Sequence, residues 1–167
     1  HGSRAVEIEG TEEGGGRTRP WVRTARIDVD YLDALEQPIL SGRGFDQADI
    51  EPGVHVALVN TVFAEALLGG GDPLGRRIRF VTSSGTSEWR EIIGVVGHLG
   101  ANIVSPRGDE AVYLPAAPGT IRPMRLAVHV GPTPESLTGR VREIVTAAAP
   151  EAIVSQPVVL AGVTQGD

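Results

Sequence analysis

The chain has 167 residues, 41% of them hydrophobic and 22% charged, a balance that belongs to globular rather than disordered sequences. Its net charge of −6 argues against a nucleic-acid surface, which wants clustered positive charge, and the lack of cysteine excludes disulfides, zinc-thiolate centres and cysteine nucleophiles. All 15 basic residues are arginine, scattered in the manner of compositional bias, and aromatics reach only 4%, so the core must rest on Val, Ile, Leu and Ala.

A chain of this length forms one compact domain or two small subdomains. His1-Gly2-Ser3 resembles the remnant of an affinity tag and is set aside, which marks residues 1–3 as foreign to the fold. Residues 4–9 alternate weakly, and 11–18 form a loop rich in Gly and charge. Residues 21–29 alternate as a strand, with Val22, Ala25, Ile27 and Val29 as its apolar members. Asp28 or Asp30 can cap a short helix through Tyr31, Leu32 and Leu35. Residues 38–40 return as an edge strand and run into the turn signal Gly42-Arg43-Gly44-Phe45.

Residues 56–59 are a nearly continuous apolar strand. Asn60 or Thr61 caps a helix that runs to Leu68 and is stopped by Gly69-Gly70-Gly71. Asp72-Pro73-Leu74-Gly75 carries the residues of a type I turn, 77–81 alternate as a strand, and 83–87 lead as a hairpin loop into the partner strand 89–96. Residues 111–114 form another short strand. In the tail, Met124, Leu126, Val128 and Val130 alternate as a half-buried strand. Thr133 and Pro134 open a helix whose Leu137, Val141, Ile144, Val145 and Ala148 make one stripe, Pro150 ends it, and 152–159 resume as strand. The pattern is α+β, with strand–helix–strand units at both ends of a hairpin-rich middle.

Residues that could carry chemistry have simpler readings. Neither glycine run, 14–16 or 69–71, is followed by Lys-Ser/Thr, so no phosphate-cradling loop is present, and GxGxxG and GxSxG are absent too. Asp46, Asp49 and Glu51, with His55 behind, gather carboxylates but lack the spacing of a calcium loop and read as a solvated segment. His98 sits in a loop and His129 on a polar strand face. The expectation is no catalytic, cofactor-binding or metal residue, and no enzyme.

Four segments in order nevertheless resemble the MacB-like periplasmic core domain of FtsX-type ABC transporter permeases. They are Val29-Asp30-Tyr31-Leu32 with Pro38 to Phe45 and Asp49; Val56-Ala57-Leu58-Val59-Asn60; Asp72-Pro73-Leu74-Gly75-Arg76-Arg77-Ile78; and Glu91-Ile92-Ile93-Gly94-Val95-Val96-Gly97 with Val112-Tyr113-Leu114-Pro115. Leu32 stands where the family usually has Phe, Glu36 where it often has Gly, and His98 where an acidic residue is common. Physically these are scaffold positions: Gly42 and Gly44 permit a sharp reversal, Phe45 plugs the junction, and Gly94 and Gly97 allow close passage.

The resemblance implies an α+β fold of two subdomains, a βαβ-type porter-like unit (4–50 and 117–163) with an inserted hairpin-rich sabre-like unit (51–116). Crossings at 44–53 and 115–123 are expected to act as a hinge between them. It further implies a membrane-embedded parent chain with this domain on the extracytoplasmic side, periplasmic or extracellular, and a cognate ABC ATPase as partner. An extracytoplasmic adaptor or substrate protein and a dimeric transporter are compatible with it. The domain would relay ATP-driven conformational change to export or to partner proteins. The rival expectation is an extracytoplasmic sensor or ligand-binding module with one concave pocket.

Overall fold

The computed structural model describes residues 2–11, 19–97, 109–117, 119–120 and 138–149. The chain divides into two compact units, residues 1–126 and 127–167. In the second, α3 (Thr138–Ala148) is the described element; its Val141 and Val145 are half-buried and Ile144 is exposed. The expected strands at 124–130 and 152–159 lie outside the described residues.

The first unit is built on a mixed sheet. Its strands are β1 (Gly2–Ile8), β2 (Trp21–Ile27), β3 (Ile39–Gly42), β4 (Val56–Asn60), β5 (Arg77–Thr82), β6 (Gly85–Thr86), β7 (Arg90–Val96) and β8 (Ala111–Pro115). They are ordered β3-β7-β4-β8-β2-β1-β5-β6, and β5 also pairs with β7 through Arg77–Glu91 and Ile78–Arg90. That last pairing closes a circuit, β7-β4-β8-β2-β1-β5 and back to β7. The result is a small six-stranded barrel with β3 and β6 as appendages.

The inward residues confirm the closure. Val6 and Ile8 of β1, Val22 of β2, Ala57 and Val59 of β4, Ile78 and Phe80 of β5, Ile92 and Val95 of β7, and Val112 and Leu114 of β8 form one core. Phe63 and Leu68 of α2 (Thr61–Leu68) join them, so the helix that follows β4 plugs that end of the barrel. A second core lies on the other face of the sheet, where Leu32 of α1 (Tyr31–Ala34) and Phe45 pack on Ile27, Val56, Leu58, Val96 and Tyr113. β4 therefore faces a core on each side, and all five of its residues are buried, which is why it reads as a continuous apolar run.

Residues 51–116, expected as an inserted hairpin-rich unit, contribute strands that pair with those of residues 2–42 in one sheet. β8 lies parallel to β2, β5 antiparallel to β1, and β7 antiparallel to β3. The physical reason is that β1 and β2 alone would make a two-stranded hairpin, marginal in water, whose inner side chains need Ile78, Phe80, Val112 and Leu114 to cover them. Gly2 and Ser3 also extend β1, opposite Thr24 and Arg23, rather than standing outside the fold.

The hairpin expected between 77–81 and 89–96 is split. β5 turns into β6, with Val81 opposite Thr86, while β7 meets β5 only at its start and then runs between β4 and β3.

Glu36, just beyond α1, has φ +52, a left-handed conformation that costs a side-chain-bearing residue about 1–2 kcal/mol relative to Gly. Glu36→Gly should therefore stabilise the domain by about 0.5–1 kcal/mol, after the greater freedom of an unfolded Gly is subtracted. Urea denaturation of the two proteins checks it, and a variant less stable than wild type contradicts it.

Candidate functional site

The segment with the densest polar organisation follows β3. Its backbone must turn tightly over β7, and two glycines make this possible. Gly42 has φ +75, and a Cβ there would fall 2.2 Å from the Ile93 carbonyl oxygen; one at Gly94 would fall 2.3 Å from that of Arg43. The close passage expected at Gly94 and Gly97 is found at Gly94, while the space beside Gly97 is open; Gly42, expected only to permit a sharp reversal, also lies in close contact.

Beyond the turn, Asp46 caps a single 3₁₀ turn, Gln47–Ile50, accepting from the backbone N–H groups of Ala48 (2.8 Å) and Asp49 (3.3 Å). Asp49 reciprocates from the other side, accepting from Asp46 N–H at 2.9 Å. Arg43 lays its guanidinium fork on the Asp49 carboxylate, Nη1 to Oδ2 at 2.6 Å and Nη2 to Oδ1 at 2.9 Å, and reaches Asp46 at 3.3 Å. Asp49 is buried and Arg43 half-exposed, so the pair seals the corner from the solvent side. Phe45 anchors the corner from below. The crossing at 44–53, where a hinge is expected, carries an ion pair, a reciprocal cap and a buried ring.

Beside the corner lies a groove of about 350 Å³, with Val29, Leu32, Ile39 and Phe45 as apolar walls and Asp33, Arg43 and Asp46 at its polar edge. That is the low end of the range for small-molecule sites.

The second polar centre is Asn60, fully buried at the β4–α2 junction. Its Oδ1 accepts from Phe63 N–H (3.0 Å), capping α2, and from Ala111 N–H (2.9 Å), while its Nδ2 donates to the Asp109 carbonyl (2.7 Å). The cap was legible in the sequence. The bridge to residues 109–111 was not, because nothing local signals a partner so distant in the chain.

These centres do structural work. The oxygens of Asp46 and Asp49 accept from Arg43 and from backbone N–H groups. Glu51 is exposed, and the His55 carbonyl accepts from Glu91 N–H at 3.0 Å. Among the described residues no three His, Asp or Glu side chains gather to hold a metal ion. His98 and His129 lie outside the described residues. Burial pushes the Tyr113 hydroxyl up to about 12, so it stays protonated at any ordinary pH.

The Arg43 guanidinium, helped by Asp46 N–H and opposed by burial, holds the Asp49 carboxyl below its usual range. Arg79, with Arg19 assisting against burial, does the same for Glu7. Both groups bind fewer protons folded than unfolded. Their stabilisation is therefore complete above the ordinary carboxylate value of about 4 and is lost as pH falls through the lowered folded values. Asp49→Asn should cost about 1–2 kcal/mol at neutral pH and flatten the acid limb of a melting-temperature series. An acid limb identical to wild type would contradict this.

A mixed sheet closed into a barrel, with helices packed against it, defines a domain of the α+β class. Against known families, residues 3–156 match the MacB-like periplasmic core domain, and the chain belongs to that family. It is thereby an extracytoplasmic domain of the ABC transporter permeases. Among solved structures, it is similar to a domain of a protein assigned as a permease from Porphyromonas gingivalis, at 20% identity and TM-score 0.54, covering 87% of this chain and 65% of that one. It is also similar to the periplasmic region of MacB from Actinobacillus actinomycetemcomitans, at 16% identity and TM-score 0.51, covering 86% and 63%. At these identities the likeness speaks for the fold, and the chain spans just under two thirds of either relative. Comparison with curated proteins returns no match. Among the described residues no helix is long and apolar enough to cross a membrane.

Proposed function

We propose that this domain relays ATP-driven conformational change from the membrane part of its permease to export or to a partner protein outside, its barrel acting as a rigid, non-catalytic body. The observation that carries the reading is that the segments resembling the family build the frame itself. Gly42 and Gly94 seat β3 on β7, Arg43 and Asp49 lock the corner, and Asn60 ties β4 and α2 to β8. A closed barrel with a packed interior does not deform continuously, so a displacement applied at one edge moves the whole. The driving partner in this reading is a cognate ABC ATPase on the cytoplasmic side; an adaptor or substrate protein would meet the domain outside.

The test replaces the domain by a flexible Gly-Ser linker in the full-length permease, reconstituted with its ATPase. ATP hydrolysis should persist while transport is lost. Transport at the wild-type rate without the domain would overturn the proposal.

A further inference from the structure

The arginines that look scattered along the sequence are not scattered in the barrel. Five of those in the first unit, Arg19, Arg23, Arg43, Arg77 and Arg79, lie within ion-pair distance of carboxylates. Arg4, Arg26 and Arg90 have no such partner among the described residues.

Strand alternation puts these three on the inner face of the barrel. Arg4 precedes the core residue Val6 by two on β1, Arg26 follows the buried Thr24 by two on β2, and Arg90 precedes the core residue Ile92 by two on β7. The registers also put them at one end. The start of β1 lies antiparallel to the finish of β2, β2 runs parallel to β8, β8 antiparallel to β4, and β4 parallel to β7. The beginning of β1, the finish of β2 and the beginning of β7 therefore share one mouth, opposite the end that α2 plugs. The Arg4 guanidinium lies 5.5 Å from the ring of Phe80, an inner-face core residue, consistent with this placement.

Arg4 and Arg26 are exposed there and Arg90 is half-buried. The Nε of Arg90 is buried and has no hydrogen-bond acceptor. Such a donor, on a side chain that is always cationic, is costly unless an anion or other acceptor reaches it. Burial, together with Arg26 and Arg4, lowers the Arg90 pKa from its ordinary value, against the opposing pull of the exposed Glu88. Three guanidinium groups at one mouth, none within ion-pair distance of a described carboxylate, offer charge and fork-shaped donors suited to tetrahedral oxyanions.

We propose that this barrel mouth, walled by Arg4, Arg26 and Arg90, is a binding site for a phosphate-class oxyanion, supplied either as a free ion or as a lipid headgroup. The inference is independent of the relay reading, since it rests on the barrel alone.

The experiment titrates the folded domain with inorganic phosphate at constant ionic strength set by chloride, and separately with vesicles of phosphatidylglycerol or phosphatidylcholine. Wild type should bind phosphate, or the anionic vesicles in preference to the zwitterionic ones. Arg90→Gln and Arg26→Gln should each weaken that binding at least about tenfold, as expected for loss of a charge-assisted contact. Response to phosphate marks a free ion as the source, and response to phosphatidylglycerol alone marks a headgroup. Arg90→Met is the folding control: removing an unpaired half-buried charge should keep the domain folded while abolishing the response. No response in either arm, or equal responses in wild type and the variants, would overturn the proposal.

Discussion

Gly42→Ala should destabilise the domain by about 3 kcal/mol or more, among the largest effects of any single-methyl change in it. Two costs add. The backbone at Gly42 has φ +75, which disfavours any Cβ by about 1 kcal/mol or somewhat more. The added methyl would also meet the Ile93 carbonyl oxygen at 2.2 Å, Leu74 Cδ2 at 2.7 Å and Gly94 Cα at 2.9 Å. Two of those three atoms are backbone, so relief requires β3 to lift from β7, and overpacking of this kind costs about 1–3 kcal/mol. Gly53→Ala separates the two contributions. Its φ is +88, yet nothing lies within 4 Å of the new methyl, so it should lose only the conformational part. Urea denaturation of the three proteins decides the matter. Equal losses at positions 42 and 53 would refute the close approach of β3 to β7.

Asn60→Ala should cost about 3 kcal/mol as well, for a different reason. The side chain satisfies three backbone groups at once, the N–H groups of Phe63 and Ala111 and the carbonyl of Asp109. Loss of an N-cap alone costs about 1 kcal/mol, and each further buried group left without a partner adds about 1 or more. Asp30 provides the contrast. It occupies the N-cap position of α1 but makes no side-chain capping bond, so Asp30→Ala should be nearly neutral. Hydrogen exchange distinguishes the two duties of Asn60, since the amides of both Phe63 and Ala111 should lose protection in the variant. If only the Phe63 amide changes and stability falls by about 1 kcal/mol, the bridge to β8 contributes nothing.

These two positions also show what a sequence makes legible. Asn60 before an apolar helical stretch, with Gly69 after it, marks both ends of α2, and the structure gives Asn60 as the cap and Gly69 in the left-handed conformation. The edge position of β3, the reversal at Gly42, the tight passage at Gly94, and the turn at 72–75, where Asp72 accepts from Leu74 N–H at 3.0 Å, follow from equally local chemistry. What escaped is long-range pairing. Alternation says which face of β2 is apolar, but not that β8 will lie parallel beside it or that β5 will close the circuit onto β7. For the same reason residues 51–116 read as a separate unit, and Arg4, Arg26 and Arg90 as unrelated charges. Arg43 and Asp49 fell between these cases. Both stood in a segment resembling the family, yet their pairing depends on a 3₁₀ turn whose four residues carry no strong signal of their own.

The proposed relay can be tested directly. The domain contains no cysteine, so Ser84→Cys, in the exposed β5–β6 turn, offers a single attachment point once the rest of the permease is cleared of thiols. The full-length transporter, assembled with its ATPase in liposomes, would be labelled there with a membrane-impermeant fluorescent maleimide. Energy transfer to an acceptor dye in the outer leaflet then reports the domain's position relative to the membrane. The account predicts labelling from the extracytoplasmic side and a change in transfer on addition of ATP to the opposite side, absent with a nucleotide-binding-defective ATPase. An unchanged transfer efficiency while ATP is being hydrolysed would contradict it.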